Sequence, residues 1–194
     1  LTTLLTMTGV FAVMNGIVPA LAQDTSVGAS MSADTVSLAT LTPYALVGLV
    51  FGPVAGVIIS VALMLFSGFI VSAIAMVFGV FVCQSPHIWG LVVLSVVLGL
   101  SYAGTANIML NGLGIVLSPE DNPGYLPGLN AGAFNLGAGL SYAILYGVQQ
   151  GFSDAHGATM GYTGAMIAGI ILLVLAFLSS LLIPKPAQNA AEEH

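Results

Sequence analysis

Residues 161–183 form the uninterrupted apolar stretch GYTGAMIAGIILLVLAFLSSLLI, which contains no charged side chain. A helix needs about 20 mainly apolar residues to cross the hydrocarbon core of a bilayer, which is about 30 Å thick. The stretch meets that length, and it lacks the strict alternation of polar and apolar residues that a strand of a membrane barrel shows. It therefore predicts a transmembrane helix.

Five stretches of the same kind precede it. The six predicted spans cover residues 1–22, 36–60, 61–83, 88–117, 127–149 and 161–183. Segments such as SPEDNPGYLPG and GFSDAHGATMG separate the spans, and they carry the charges and turn-forming residues of loops that leave the bilayer. The predicted fold class is all-α, a single integral membrane bundle of six transmembrane helices over residues 1–194.

The composition excludes a soluble domain. Only 4% of the 194 residues are charged, against about 25% in soluble domains, and the mean hydropathy is +1.08. The count of one Lys plus Arg leaves no basic surface for nucleic acid. The one cysteine, Cys83, has no second cysteine to pair with in the chain and is predicted to be a packing residue. We expect no cofactor and no metal site.

The junction between the second and third spans is unusual. From Val36 to Cys83 the sequence has no charged residue and no convincing loop. A single helix of these 48 residues would be about 72 Å long, more than twice the bilayer core. A short turn at Ile59 and Ser60 is the alternative, although β-branched residues are poor turn formers. We predict that a polar cytoplasmic loop near positions 60/61 is missing from this sequence.

Two features bear on orientation and completeness. Lys185 follows the last span, so the positive-inside rule places the C-terminus in the cytoplasm, and six spans place the N-terminus there too. The sequence opens at Leu1 in apolar residues, without Met or the basic start of a signal peptide. We therefore expect the start to be internal to a longer protein.

Small residues recur at helical spacing in the second and fifth spans. The second opens LTPYALVGLVFGPVAG and the fifth YLPGLNAGAFNLGAG, so Pro43 and Pro127 are each followed by small residues four apart. Such spacing gives a helix a smooth face on which a neighbour packs closely. The similarity divides the six spans into two three-helix units of opposite topology, and inverted repeats of this kind are typical of transporters.

The stretch LSPEDNPGYLPGLNAGAFNLGAGLSYAI resembles the cytoplasmic loop and eleventh helix of drug and solute transporters of the major facilitator superfamily (MFS). The segment TLTPYALVGLVFGPVAGVI is similar to the eighth helix of that family, except that the acid and arginines of the family pattern are absent after Gly56. The resemblance covers essentially the whole chain and is to the C-terminal half, helices seven to twelve. It implies that an N-terminal six-helix half is missing from the sequence, or that a second half-size subunit takes its place.

Polar side chains within the spans are the candidate functional groups, because they are costly in lipid and usually face a cavity. The resemblance implies a cavity lined by spans one, two, four and five, and tyrosines there offer stacking surface beside Phe134. The predicted substrate cavity contains Asn15, Tyr44, Tyr102, Asn107, Asn111, Asn135 and Tyr142. The alternative for each amide is a hydrogen bond between helices.

Flexible glycines in the fourth span and acids before the fifth are candidates for a hinge and a gate. The residues are Gly104, Gly112, Glu120 and Asp121. Glycine lets a helix bend, so these glycines are the candidates for a hinge in the fourth span. The two acids have a second explanation, because negative charge is favourable near a helix N-terminus.

The predicted function is secondary active transport of a small organic or drug-like solute by alternating access, including efflux, without chemistry on the solute. The chain is thus not expected to be an enzyme. Its expected location is the plasma membrane, in bacteria the inner membrane, and its expected partners are the lipid bilayer, the solute and the other six-helix half. A six-helix channel and a non-transporting scaffold or sensor subunit are the alternatives.

Overall fold

The computed structural model describes residues 1–58 and 61–184, with side chains described for 1–54 and 66–184. The main helices are α1 (Thr2–Gln23), α2 (33–58), α3 (Val61–Gln84), α4 (Ile88–Val116), α5 (Tyr125–His156) and α6 (Ala158–Ser180). All six are long and apolar enough to cross a membrane, and no strand occurs within the described ranges. The all-α prediction is confirmed, and the chain forms a six-helix membrane bundle.

Two predictions concern residues that are not described. The suspected junction falls on Ile59 and Ser60, between the end of α2 and the start of α3, and Lys185 follows the last described residue. Both positions lie outside the described residues. The missing loop and the cytoplasmic C-terminus therefore stay predictions.

The helix α5 continues past the loop that the sequence suggested after residue 149. It extends to His156, and only Gly157 separates it from α6. Gly157 has a φ of +92°, a backbone conformation that residues with a Cβ atom rarely adopt, so a single glycine makes this turn. With 32 residues, α5 is about 48 Å long and exceeds the thickness of the bilayer core.

Among the described residues, three of the helices contain π-helical stretches. They are Val13–Ile17 in α1, Ser37–Leu41 in α2 and Gly99–Ala106 in α4. Such stretches interrupt the regular hydrogen-bond ladder and are frequent at functional sites. Asn15 lies within the first stretch, and Asn107 directly follows the third.

The helices pack in pairs that relate the two halves of the chain. The helix α1 packs on α5 and α6, α2 packs on α4, and α3 packs on α4 and α6. In the two three-helix units, α1 corresponds to α4, α2 to α5 and α3 to α6. The α1–α5 pair therefore corresponds to the α4–α2 pair, and the α1–α6 pair corresponds to the α4–α3 pair. These two correspondences agree with a division into two three-helix units, whereas the packing of α5 on α6 has no comparable α2–α3 counterpart among the described residues.

Glycines bring α1 against α6 at backbone distance. A Cβ atom added to Gly169 would lie 2.8 Å from the Gly9 carbonyl oxygen, and one added to Gly9 would lie 3.1 Å from the Gly169 carbonyl oxygen. Around this crossing, α1 is the most buried of the six helices and contributes Met7, Val10 and Met14 to the core. Cys83 is also fully buried, in agreement with its predicted packing role.

Candidate functional site

The helices α1 and α5 run side by side in the same direction. Near their starts, the Thr3 hydroxyl donates a hydrogen bond to the side-chain carbonyl of Asn130. Further along both helices, the Ala12 backbone N–H donates to the Ser141 hydroxyl at 2.8 Å. This register places the middle of α1, with Asn15, at the level of the second half of α5.

Three aromatic rings cluster on this pair of helices. The ring centroids of Phe11 and Tyr142 lie 5.9 Å apart in an edge-to-face arrangement, with an interplanar angle of 81°. The rings of Tyr142 and Tyr146 stack at 5.8 Å with an interplanar angle of 16°. Tyr146 fits against α1 because Gly16 has no side chain: a Cβ atom there would lie 2.5 Å from the Tyr146 hydroxyl. Tyr142 keeps 38% of its surface exposed.

Two exposed amides lie on the helices that carry the aromatic cluster. Asn15 donates one hydrogen bond, of 2.9 Å, to the Phe11 backbone carbonyl, which holds its side chain beside the rings. Asn135 lies seven residues before Tyr142, which is two turns along the same face of α5. Both side chains lie exposed on the surface of the bundle.

A second polar cluster joins α1, α4 and α5. The Asn130 amide donates to the Asn111 side-chain carbonyl at 2.6 Å, and Asn111 donates to the Asn107 backbone carbonyl at 3.0 Å. Together with the Thr3 bond to Asn130, these contacts form a continuous chain of hydrogen bonds. An apolar cavity of about 260 Å³ adjoins this cluster, with Leu110 in its wall.

The two remaining tyrosines of the predicted cavity lie deeper. Tyr102 is only 4% exposed, and its hydroxyl donates to the Met7 sulfur in the core between α1 and α4. Tyr44 is half-buried against α4, where a Cβ atom on Gly99 would lie 2.7 Å from the Tyr44 carbonyl oxygen. Neither is part of the exposed aromatic cluster, and Phe134 is half-buried against the core.

The predicted hinge and gate residues occupy different surroundings. A Cβ atom on Gly104 would lie 3.2 Å from the Phe51 ring, whereas one on Gly112 would have open space around it. Glu120 and Asp121 are exposed in the loop before α5, and they lie outside its first turn. A hinge at these glycines and a gate at these acids stay predictions.

The site carries no formal charge of its own. Between their first and last turns, the six helices contain no Asp, Glu, Lys, Arg or His. Within the part of the chain that the structure describes, no group of three or more His, Cys, Asp or Glu side chains comes close enough to hold a metal ion. The candidate site therefore offers neutral hydrogen-bonding groups and aromatic rings.

Four residues of these clusters were missing from the predicted cavity: Phe11 and Tyr146 of the aromatic cluster, and Thr3 and Asn130 of the polar cluster. Asn130 is the centre of the second polar cluster, and Tyr146 completes the aromatic stack. The spacing of four between Tyr142 and Tyr146 is the sequence signal that could have found the stack, because residues four apart share a helix face.

The chain has an extensive match to a curated transporter. It is 56% identical over 188 residues to the uridine/deoxyuridine transporter of Lactococcus lactis subsp. cremoris (strain MG1363). The match covers 95% of this chain and 39% of that protein, so the chain spans about two fifths of the length of the curated relative. That relative is named as a transporter and not as an enzyme. No protein-family model matches the chain.

Proposed function

We propose that this chain forms one six-helix half of a secondary transporter that moves uridine, deoxyuridine or a closely related pyrimidine nucleoside across the plasma membrane. The observation that carries the proposal is the 56% identity to the uridine/deoxyuridine transporter over 95% of the chain. The apolar helices fit that role, since all six have the length and composition to cross a bilayer.

The chemistry of the exposed face supports a nucleoside as the solute. A nucleoside is uncharged, offers a planar ring for stacking, and has carbonyl, N–H and hydroxyl groups for hydrogen bonds. The face provides amides at Asn15 and Asn135 and aromatic rings at Tyr142 and Tyr146. It has no cation that would favour a phosphate group over a hydroxyl.

The packing pattern supports the finer proposal of an MFS-type half that works by alternating access. The α1–α5 and α2–α4 pairs exchange when the two three-helix units are exchanged, as inverted repeats require. The face of α5 is also open: Cβ atoms added at Gly128, Gly132 and Gly139 would meet nothing within 4 Å. We propose that the other six-helix half covers this face and that the solute binds between the halves.

Solute counterflow tests the function. The full-length protein is reconstituted into liposomes loaded with unlabelled uridine, and tritiated uridine is added outside. A transporter exchanges one for the other, so labelled uridine accumulates transiently above its external concentration, whatever the coupling ion. Deoxyuridine should compete, and uridine 5′-monophosphate should not.

The alternatives give different results in the same assay. A channel lets labelled and unlabelled uridine equilibrate without transient accumulation. A scaffold or sensor subunit leaves the liposomes as impermeable as protein-free ones. Either result would overturn the proposed function. Thermal stabilisation of the purified protein by uridine provides an independent test, because a ligand that binds the folded state raises its stability with concentration.

A further inference from the structure

The asparagine side chains of α1, α4 and α5 divide into two classes by their hydrogen bonds. Asn111 and Asn130 use their side-chain groups to bond each other and the neighbouring Asn107 and Thr3. By contrast, Asn135 has no hydrogen-bond partner among the described residues, and Asn15 donates a single N–H to Phe11, which leaves its side-chain carbonyl unpaired there. Both unpaired groups are exposed by this chain.

The aromatic cluster and the two unpaired amides lie on the same pair of helices, α1 and α5. Tyr142 is two turns, or about 10 Å along the axis, from Asn135 on one face of α5. Toward the other end, Tyr146 packs at Gly16, the residue next to Asn15. Because Ala12 is level with Ser141, Asn15 lies at the level of Tyr142 and Tyr146, and Asn135 lies about two turns before Tyr142 on α5. Next to Tyr142, one turn earlier, a Cβ atom on Gly139 would meet nothing within 4 Å, so the chain leaves open space there.

Resting on the proposed function, we infer that Tyr142 is the stacking platform for the pyrimidine ring, that Asn15 hydrogen-bonds the polar edge of the ring, and that Asn135 hydrogen-bonds the sugar hydroxyls. Bases held by proteins outside a duplex are recognised in the same way, by stacking on aromatic rings and by hydrogen bonds to their edges. An unpaired amide presents a carbonyl acceptor and an N–H donor together, which matches the N–H and carbonyl groups of uracil.

Binding of tritiated uridine to the purified full-length protein tests the platform. Tyr142→Leu should weaken uridine binding about tenfold or more, the size expected for losing one base–aromatic contact, whereas Tyr142→Phe should keep most of the affinity. Tyr125→Leu is the matched control, because Tyr125 is an exposed tyrosine on the same helix and lies far from the cluster. Equal affinity of Tyr142→Leu and wild-type protein would overturn the inference.

A steric variant tests the same site without removing a contact. Gly139→Leu should place a side chain in the open space beside Tyr142 and weaken uridine binding at least tenfold. Gly151→Leu is its control, because Gly151 is also open and lies about 180° around the helix from Tyr142. Unchanged binding by Gly139→Leu would contradict the placement of the nucleoside.

Analogues distinguish the two amides. Wild-type protein should prefer uridine to 2′,3′-dideoxyuridine, which lacks two sugar hydroxyls, and Asn135→Leu should abolish that preference. Asn15→Leu should weaken both compounds by a similar factor and preserve the preference. If the preference survives in Asn135→Leu, the role of Asn135 is refuted. The proposed function is unaffected in that case, because the wild-type protein still binds uridine. Failure of the wild-type protein to bind uridine would instead refute the proposed function.

Discussion

The Asn130 side-chain amide donates a 2.6 Å hydrogen bond to the side-chain carbonyl of Asn111, and this bond joins the start of α5 to the end of α4. Thr3 extends the connection to α1 by donating to Asn130. The start of α1 is thereby connected to the consecutive helices α4 and α5 by neutral side chains at one end of the bundle. In a membrane protein such bonds act together with close packing to fix one helix against another.

Asn111→Leu should destabilise the protein because it leaves the Asn130 amide without its acceptor. Hydrogen bonds between membrane helices contribute about 0.6 kcal/mol on average and up to about 1.7 kcal/mol, so we expect a loss of free energy of unfolding of about that size. Melting of the full-length protein in detergent measures it. Asn135→Leu is the control, since Asn135 has no hydrogen-bond partner in the described part of the chain. Equal melting of the two variants would contradict a structural role for the bond.

The same variant separates structure from transport. From the sequence we predict that replacing Asn107 or Asn111 by Leu reduces transport while expression stays intact. Counterflow is measured well below the melting temperature of each variant, so that only folded protein is assayed. Reduced counterflow by folded protein would support a role in the solute path, and normal counterflow by both variants would remove these residues from the site.

Gly137→Ala should destabilise the folded protein because α1 and α5 touch at this glycine. Its Cβ atom would lie 2.7 Å from Met7 Cβ and 2.8 Å from the Leu4 carbonyl oxygen, so the helices would have to move apart. Overpacking of this kind costs about 1–3 kcal/mol. Gly132→Ala, in open space on the same helix, should be neutral or should stabilise by up to about 1 kcal/mol through helix propensity. Equal melting temperatures of the two variants in detergent would contradict the close contact between α1 and α5 at Gly137.

The six helices were predictable because their main determinant is local. A run of about 20 apolar residues has few options other than a membrane helix, and the run in residues 161–183 was sufficient for that prediction. The end of α5 was less predictable. The polar segment 150–156 resembles a loop in composition, yet it contains no proline and continues the helix until Gly157, where the backbone needs a positive φ.

The site was only partly predictable, because the rotation of each helix depends on its neighbours. Composition and resemblance selected Asn15, Asn135 and Tyr142, which lie on the exposed face. The same reasoning could not tell that Tyr102 turns into the core toward Met7, since both arrangements satisfy the same spacing. The π-helical stretch around Asn15 also changes which side chains face outward, and no simple sequence pattern predicts it.

We expect Asp24 to make the stability of one end of the bundle depend on pH. It follows α1, and its carboxylate accepts hydrogen bonds from the Ser26 hydroxyl at 2.6 Å, the Ser26 backbone N–H at 2.9 Å and the Tyr162 hydroxyl at 2.9 Å. The Ser26 hydroxyl is the main reason that the pKa of Asp24 lies below its ordinary value of 3.8, with partial desolvation acting in the opposite direction. The hydrogen bond from Tyr162 to Asp24 connects the end of α1 to α6.

A lowered pKa means that the folded state favours the ionised carboxylate. The stabilisation is therefore fully present above the unfolded-state pKa of 3.8 and is lost as the pH falls through the lower folded-state pKa. We expect the melting temperature of the full-length protein in detergent to drop as the pH is lowered below 3.8. Asp24→Asn should lower the melting temperature at pH 7 and reduce the acid-induced drop, whereas Asp121→Asn, at an exposed loop position, should do neither. A wild-type acid profile that persists unchanged in Asp24→Asn would show that other carboxylates control it, because removal of the titrating group must remove its share of the pH dependence.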